Sequence, residues 1–236
     1  HRMRDYIEIL RATASGKPVS YKGKHFSLPY AGPGAKNVPP MASALNTNPD
    51  VPIYVGAMGP DMLALTGEIA DGWMPTGFAP GMMQHFAPML EKGFAKAGGG
   101  KGFHNFEVWV HVDVIVDKDV RAAMRPFKEY VVTYLPYQTP MLQGLGFGAA
   151  AERAAELKAA GKLNEAIDAI PDEFIDIGWL CGPLERIVER LQPWLSCGAT
   201  GMIVRYGLQV GAGPSGVVEN LDAFRVIAEA LDKPRA

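Results

Sequence analysis

A short apolar strand, a glycine-bracketed turn and a helix start follow one another between Pro52 and Asp61, and this order constrains the fold most. Gly56 and Gly59 lack side chains where a backbone has to approach a partner closely or adopt a positive φ. Pro60 stands at the first helical position, where a fixed φ and the missing amide hydrogen are favoured. The first-turn amides of such a helix have no intrahelical partner, and with the helix dipole they attract a phosphate. The segment therefore predicts a strand–helix unit with an anion site at its turn.

Strands and helices alternate along the rest of the chain. Four apolar segments are predicted to be strands: 53–57, 73–75, 106–116 and 202–204. Apolar residues at helical spacing predict helices at 3–14, 62–69, 83–94, 119–135, 149–170, 184–195 and 218–231. The second of these helices is predicted to bury Met62, Leu65, Thr66 and Ile69. A hairpin is predicted at 19–28, and loops at 29–51 and 207–216. This alternation is typical of an α/β fold with a parallel sheet and helices outside it.

The number of strands limits the architecture further. A closed eight-stranded α/β barrel needs twice as many strands and typically about 250 residues. The chain has 236 residues, of which 48% are hydrophobic, and this is enough for one sizeable core. We therefore expect a single domain over residues 1–236 that forms the C-terminal part of a (β/α)8 barrel, with the N-terminal strand–helix units absent.

Charge and composition argue against several classes of function. The formal net charge is −2 and there is no basic stripe, which disfavours a nucleic-acid partner. No apolar run reaches the roughly 18 residues of a membrane span. The five histidines are never spaced as metal ligands, so no metal site is predicted. Two cysteines are too few for a disulfide scaffold in a chain of this length, and they fit a reducing cytoplasm.

Several segments together resemble one enzyme family. They are RDYIEIL at 4–10, GKHF at 23–26, VPIYVGA at 51–57, LTGEIADGW at 65–73 and GATGMIV at 198–204. In this order they resemble the bacterial luciferase-like oxidoreductases, and most of all the branch that uses the deazaflavin coenzyme F420. The resemblance implies a TIM-type α/β barrel with helical insertions, in which 53–57 is the fifth strand and 202–204 the eighth.

The resemblance also implies a function. Hydride would pass between coenzyme F420 and a small organic substrate, in a cytoplasmic homodimer. FMN is the alternative cofactor, in a monooxygenase of the same family. A non-catalytic half-barrel that serves as an interaction subunit is the alternative from another class. The family's usual acid, base and aromatic residues belong to the N-terminal units, so no catalytic residue is assigned.

The cofactor-binding residues implied by the resemblance surround the turn after the strand at 53–57. They are Val55, Gly56, Ala57, Met58, Gly59 and Asp61, with Thr76 from the loop after the next strand. Pro60 has no amide hydrogen, so the donors would be Gly59, Asp61 and Met62. The Asp61 carboxylate favours the helix dipole but repels a phosphate on the same amides. The alternative is a plain strand-to-helix turn that binds nothing.

Pro75, His111 and Arg205 are the candidate pocket residues. Pro75 and Arg205 follow strands and would face the barrel mouth, where barrel enzymes keep their chemistry. Valines alternate along 106–116, so His111 and Asp113 share the opposite face, where they would line a cofactor pocket or satisfy one another. Arg205 would meet a phosphate or a substrate carboxylate with two hydrogen bonds, or form an ordinary surface ion pair.

Overall fold

The computed structural model describes residues 2–44, 48–206 and 221–231, and these divide into two compact units. The first unit takes the described residues up to Trp73 together with Pro88–Glu107. The second unit takes Met74–Ala87 and the described residues from Val108 onward. The predicted loop at 207–216 lies outside the described residues, and the single domain stays a prediction.

The first unit combines helices with a hairpin and one pair of parallel strands. Its elements are α1 (Arg2–Ala14), β1 (Tyr21–Lys22), β2 (Ser27–Leu28), β3 (Tyr54–Val55), α2 (Pro60–Ile69), β4 (Gly72–Trp73), the part of α3 (Met83–Ala97) that begins at Pro88, and a 3-10 turn at Phe103–Asn105. β1 and β2 pair antiparallel, whereas β3 and β4 pair parallel with Tyr54 opposite Gly72. The predicted hairpin and strand–helix–strand order are confirmed.

The second unit is built around a long strand. Its elements are β5 (Glu107–Val116, from Val108), α4 (Val120–Thr133), α5 (Leu135–Gly144), α6 (Gly148–Ala159), α7 (Leu163–Asp168), α8 (Asp172–Gly178), β6 (Leu180–Gly182), α9 (Leu184–Arg190), α10 (Gln192–Leu195), β7 (Gly201–Tyr206) and α11 (Leu221–Leu231). β5 pairs parallel with β7 through residues 109–114 and with β6 through residues 114–116. Parallel strands among helices confirm the predicted α/β class.

The interior of β5 follows the alternation seen in the sequence. The valines at 108, 110, 112 and 114 are fully buried. Between them, Trp109 and His111 are only partly buried, while Asp113 is 8% exposed. A strand turns successive side chains to opposite faces, so the valine row fixes which residues share the other face.

Several predicted boundaries in the second unit are wrong. The single helix predicted at 149–170 is two helices, α6 and α7, separated where Gly161 adopts a φ of 74°. The helix predicted at 184–195 is also two, because Pro193 occupies the first turn of α10 and cannot continue the hydrogen bonds of α9. The elements α5, α8 and β6 were not predicted, so the strand count of four is also wrong.

Side-chain hydrogen bonds hold the β3–turn–α2–β4 segment of the first unit together. Asp71 Oδ2 accepts hydrogen bonds from the Ile53 amide and from Arg11, both at 2.7 Å. The buried Trp73 indole donates to the Ala57 carbonyl at 2.7 Å. These bonds fix the turn after β3 against the strand that follows it.

Within the described ranges, no helix is long and apolar enough to span a membrane.

Candidate functional site

The turn between β3 and α2 in the first unit is the first candidate site. Gly59 is the residue before the helix, with φ −78° and ψ 149°, and no side chain caps the helix there. Neither Gly56 nor Gly59 has a positive φ, so a left-handed backbone is not the reason for either glycine. A Cβ added at Gly59 would meet no atom within 4 Å. The fold itself therefore does not require a glycine at position 59, which leaves room for an outside group.

The amides at the start of α2 have the geometry of an anion site. Pro60 is the first helical residue, and the first intrahelical bond runs from the Leu63 amide to the Gly59 carbonyl at 2.9 Å. No carbonyl among the described residues accepts from the amides of Asp61 and Met62. The Asp61 carboxylate lies in the same first turn and is exposed. Donors and a negative charge therefore occupy one end of the helix.

A cavity in the second unit is the second candidate site. Four residues predicted for the cofactor or the pocket line it: Pro75, Thr76, His111 and Arg205. They come from the loop after β4, from β5 and from the end of β7. The structure thus brings together side chains that lie up to 130 positions apart in sequence, counted from 75 to 205. Val55–Asp61 belongs to the first unit and is not among the lining residues.

An ion pair between Asp113 and Arg205 crosses one side of this cavity. The two residues are opposite each other in the parallel register of β5 and β7. Arg205 Nη2 donates to Asp113 Oδ2 at 2.9 Å, and Nε lies 2.8 Å from Oδ1. Burial raises the pKa of Asp113 above its usual value, and the Arg205 guanidinium opposes this rise. Arg205 therefore forms an ion pair at a cavity wall.

His111 contacts the loop after β4. Its Nδ1 lies 3.5 Å from the Pro75 carbonyl oxygen. His111 and Asp113 both line the cavity. That they line a cofactor pocket stays a prediction.

Five lining residues were missed from the sequence: Tyr130, Gln138, Met141, Gly178 and Trp179. Gln138 lies in α5 and is 8% exposed, an unusual burial for a glutamine. Trp179 follows α8 and stacks on Phe127 with ring centroids 5.6 Å apart. Burial and the nearby Asp113 raise the pKa of Tyr130. The elements that carry Gln138 and Trp179 were themselves not predicted, so no sequence signal pointed to these two.

In the part of the chain that the structure describes, no group of three or more His, Cys, Asp or Glu side chains is arranged to hold a metal ion.

Comparison with known proteins identifies the family. The model of the luciferase-like monooxygenase family matches residues 1–201, and the chain belongs to this family. A Mycobacterium tuberculosis protein assigned as a coenzyme F420-dependent oxidoreductase is 30% identical over 219 residues, which are 87% of this chain and 62% of that protein. The 5,10-methylenetetrahydromethanopterin reductase of Archaeoglobus fulgidus is 30% identical over 209 residues, 86% of this chain and 59% of that protein.

A solved structure supports the same fold. The coenzyme F420-dependent tetrahydromethanopterin reductase of Methanopyrus kandleri superposes with a TM-score of 0.69 at 25% identity, over 98% of this chain and 61% of that one. The chain therefore spans about three fifths of the length of the relatives it matches. The predicted luciferase-like family is confirmed.

Proposed function

We propose that this protein is an oxidoreductase that transfers a hydride between coenzyme F420 and a small organic substrate. The observation that carries the proposal is the uncapped start of α2, in a chain whose relatives are named for F420. Bound F420 supplies a carrier that accepts or donates two electrons as a hydride. The residues of this chain bind the carrier, orient it and exclude water.

The turn after β3 fits the anionic part of the cofactor. The amides of Gly59, Asp61 and Met62 donate to it, and the helix dipole favours the negative charge. Open space at the missing Gly59 side chain lets the anion approach the backbone. Asp61 weakens this binding by repulsion. Val55, Gly56, Ala57 and Met58 shape the turn, and a cofactor contact at Thr76 stays a prediction.

Titration of the purified protein with F420, and separately with FMN, tests the proposal. We expect F420 to bind. Gly59→Asp places a carboxylate at the helix cap, where it accepts from the amides two and three residues on and repels the anion. The affinity for F420 should fall by about tenfold or more, since like charges brought together cost several kcal/mol.

Gly144→Asp is the matched control for this variant. Gly144 is also exposed, with no atom within 4 Å of an added Cβ, and it lies in the second unit at the end of α5. The Gly144→Asp variant adds the same charge, and its affinity for F420 should equal that of the wild-type protein. FMN binding without F420 binding would reject F420 in favour of the FMN-dependent monooxygenase. Binding of neither would favour the non-catalytic half-barrel. The homodimer and the cytoplasmic location stay predictions.

A further inference from the structure

A carboxylate and a guanidinium that line the cavity of the second unit pair with each other. Asp113 and Arg205 are its lining carboxylate and guanidinium, and their side chains are 11% and 40% exposed. Both oxygens of the carboxylate lie within 2.9 Å of guanidinium nitrogens. An anion that approached Arg205 would therefore also meet the Asp113 carboxylate at nearly the same distance. Attraction and repulsion of similar size leave little net electrostatic gain.

The same arrangement keeps hydrogen-bonding groups for an uncharged ligand. A guanidinium has five N–H donors, and Arg205 uses one of them, on Nη2, in a hydrogen bond to Asp113. Its Nε lies within ion-pair distance of Asp113 but makes no hydrogen bond among the described residues. The hydroxyl of Tyr130 and the amide of Gln138 add uncharged donors and acceptors to the wall. Met141 and Trp179 supply apolar surface beside them. The lining is therefore rich in hydrogen-bonding groups, and such groups fix the orientation of a ligand in a small-molecule site.

We propose that this cavity binds an uncharged small molecule that carries a carbonyl, hydroxyl or amide oxygen, and that Asp113 excludes carboxylates and phosphates from Arg205. Asp113 is then the residue that determines the charge specificity of the cavity. The idea that the bound molecule exchanges the hydride rests on the proposed function. The charge preference of the cavity does not.

A matched pair of probes tests the preference directly. Acetamide and acetate have nearly the same size and shape and differ in charge. Ligand-observed NMR titrations of the wild-type protein should show tighter binding of acetamide than of acetate. The reverse order, or no detectable binding of acetamide, overturns the proposal.

Substitution of Asp113 provides the second measurement. Asp113→Asn removes the negative charge and keeps the shape, so acetate affinity should rise by about tenfold or more. Acetamide affinity should change much less. The gain should disappear when Arg205→Gln is added. Asp117→Asn removes an exposed carboxylate just beyond β5, outside the lining residues, and should change neither affinity.

A folded Asp113→Asn protein with an unchanged acetate-to-acetamide ratio overturns the role of Asp113. If that variant does not fold, the wild-type ratio and the Asp113→Glu variant decide the question. Asp113→Glu keeps the charge, so it should also keep the preference for acetamide. Neither probe needs F420. A failure to bind F420 with the acetamide preference intact would therefore reject the proposed function and leave the cavity assignment standing.

Discussion

Asp5 lies near the start of α1, and its carboxylate holds the hairpin of the first unit against this helix by hydrogen bonds. Its side chain is nearly inaccessible, at 4% exposure. Oδ2 accepts from the backbone amides of His25 at 2.6 Å and Phe26 at 3.1 Å, and Oδ1 accepts from the Tyr21 hydroxyl at 3.1 Å. A Cβ on Gly23 would lie 2.5 Å from the Asp5 carboxyl group, so a larger residue there would have to displace this carboxyl group. The hairpin was predictable from turn residues, but its anchor in a distant helix was not.

Asp5→Asn should lower the free energy of unfolding. An amide in place of the carboxylate offers one acceptor oxygen and brings a donor against backbone donors. The hydrogen bond from the His25 amide, and others near it, lowers the pKa of Asp5 below its usual value. Because the pKa of Asp5 is lower in the folded state, its carboxylate stabilises the fold fully at pH values above the unfolded-state pKa of about 3.9. This stabilisation is lost as the pH falls through the folded-state pKa.

Urea unfolding over a series of pH values measures this effect. The difference between wild type and Asp5→Asn should be largest near neutral pH and shrink in acid. Asp50→Asn, at an exposed loop aspartate of the same unit, is the control and should show no such difference. A difference for Asp5→Asn that is independent of pH would contradict the role given to its carboxylate.

At the scale of elements, prediction succeeded where one pattern dominates. The alternating valines of β5 and the apolar stripe of α3 were predictable because most residues of each face are buried. α5 was missed because Pro136 and Pro140 interrupt its pattern and Gln138 sits on its buried face. β6 has three residues, too few for an alternation to show.

The buried face of α2 was predicted wrongly because glycines, rather than large apolar residues, set its packing. Its fully buried positions are Leu63, Thr66 and Gly67, and only Thr66 was predicted among them. A Cβ on Gly67 would collide with the backbone carbonyl of Leu90 in α3, and a Cβ on Gly93 would collide with the carbonyl of Ala64 in α2. The two helices therefore pack backbone to backbone, a contact that a search for apolar residues cannot find.

Gly93→Ala should separate these helices and lower the free energy of unfolding by about 1–3 kcal/mol, the usual cost of overpacking. The cost arises because the nearest atoms are backbone, which cannot rotate away. Gly144→Ala is the control, since it is a helical glycine with open space around an added Cβ. Alanine there should be neutral or stabilising by up to about 1 kcal/mol. Chemical denaturation of both variants measures the difference, and equal effects would contradict the close helix contact.

At the scale of the whole molecule, the sequence allowed better prediction of the cavity residues that lie on or after strands than of those that lie in helices. Pro75, Thr76, His111 and Arg205 were predictable because they follow or lie on strands that can be recognised. The ion-pair partner of Arg205 depends on the register of β5 against β7, which joins residues 92 positions apart. A single sequence does not specify that register.

The two cysteines report on the folded state of the second unit as a whole. Both are free thiols, and Cys181 is fully buried while Cys197 is 7% exposed. Burial, with Asp176 nearby, raises the pKa of Cys181 to about 12. Burial also raises the pKa of Cys197 above its usual value. Because the thiolate is the reactive form, neither cysteine should act as a nucleophile in the native protein.

Labelling with a disulfide reagent at pH 8 should therefore find no reactive thiol in the native protein and two in denaturant. From the thiolate fraction alone, native Cys181 should react about a thousandfold more slowly than an unfolded cysteine with a pKa near 8.5. Cys197→Ser isolates the signal of Cys181. The labelling rate in intermediate urea should then follow the opening of the second unit, since β6 must leave β5 before Cys181 is reached. Rapid labelling of Cys181 without denaturant would contradict the buried position of β6.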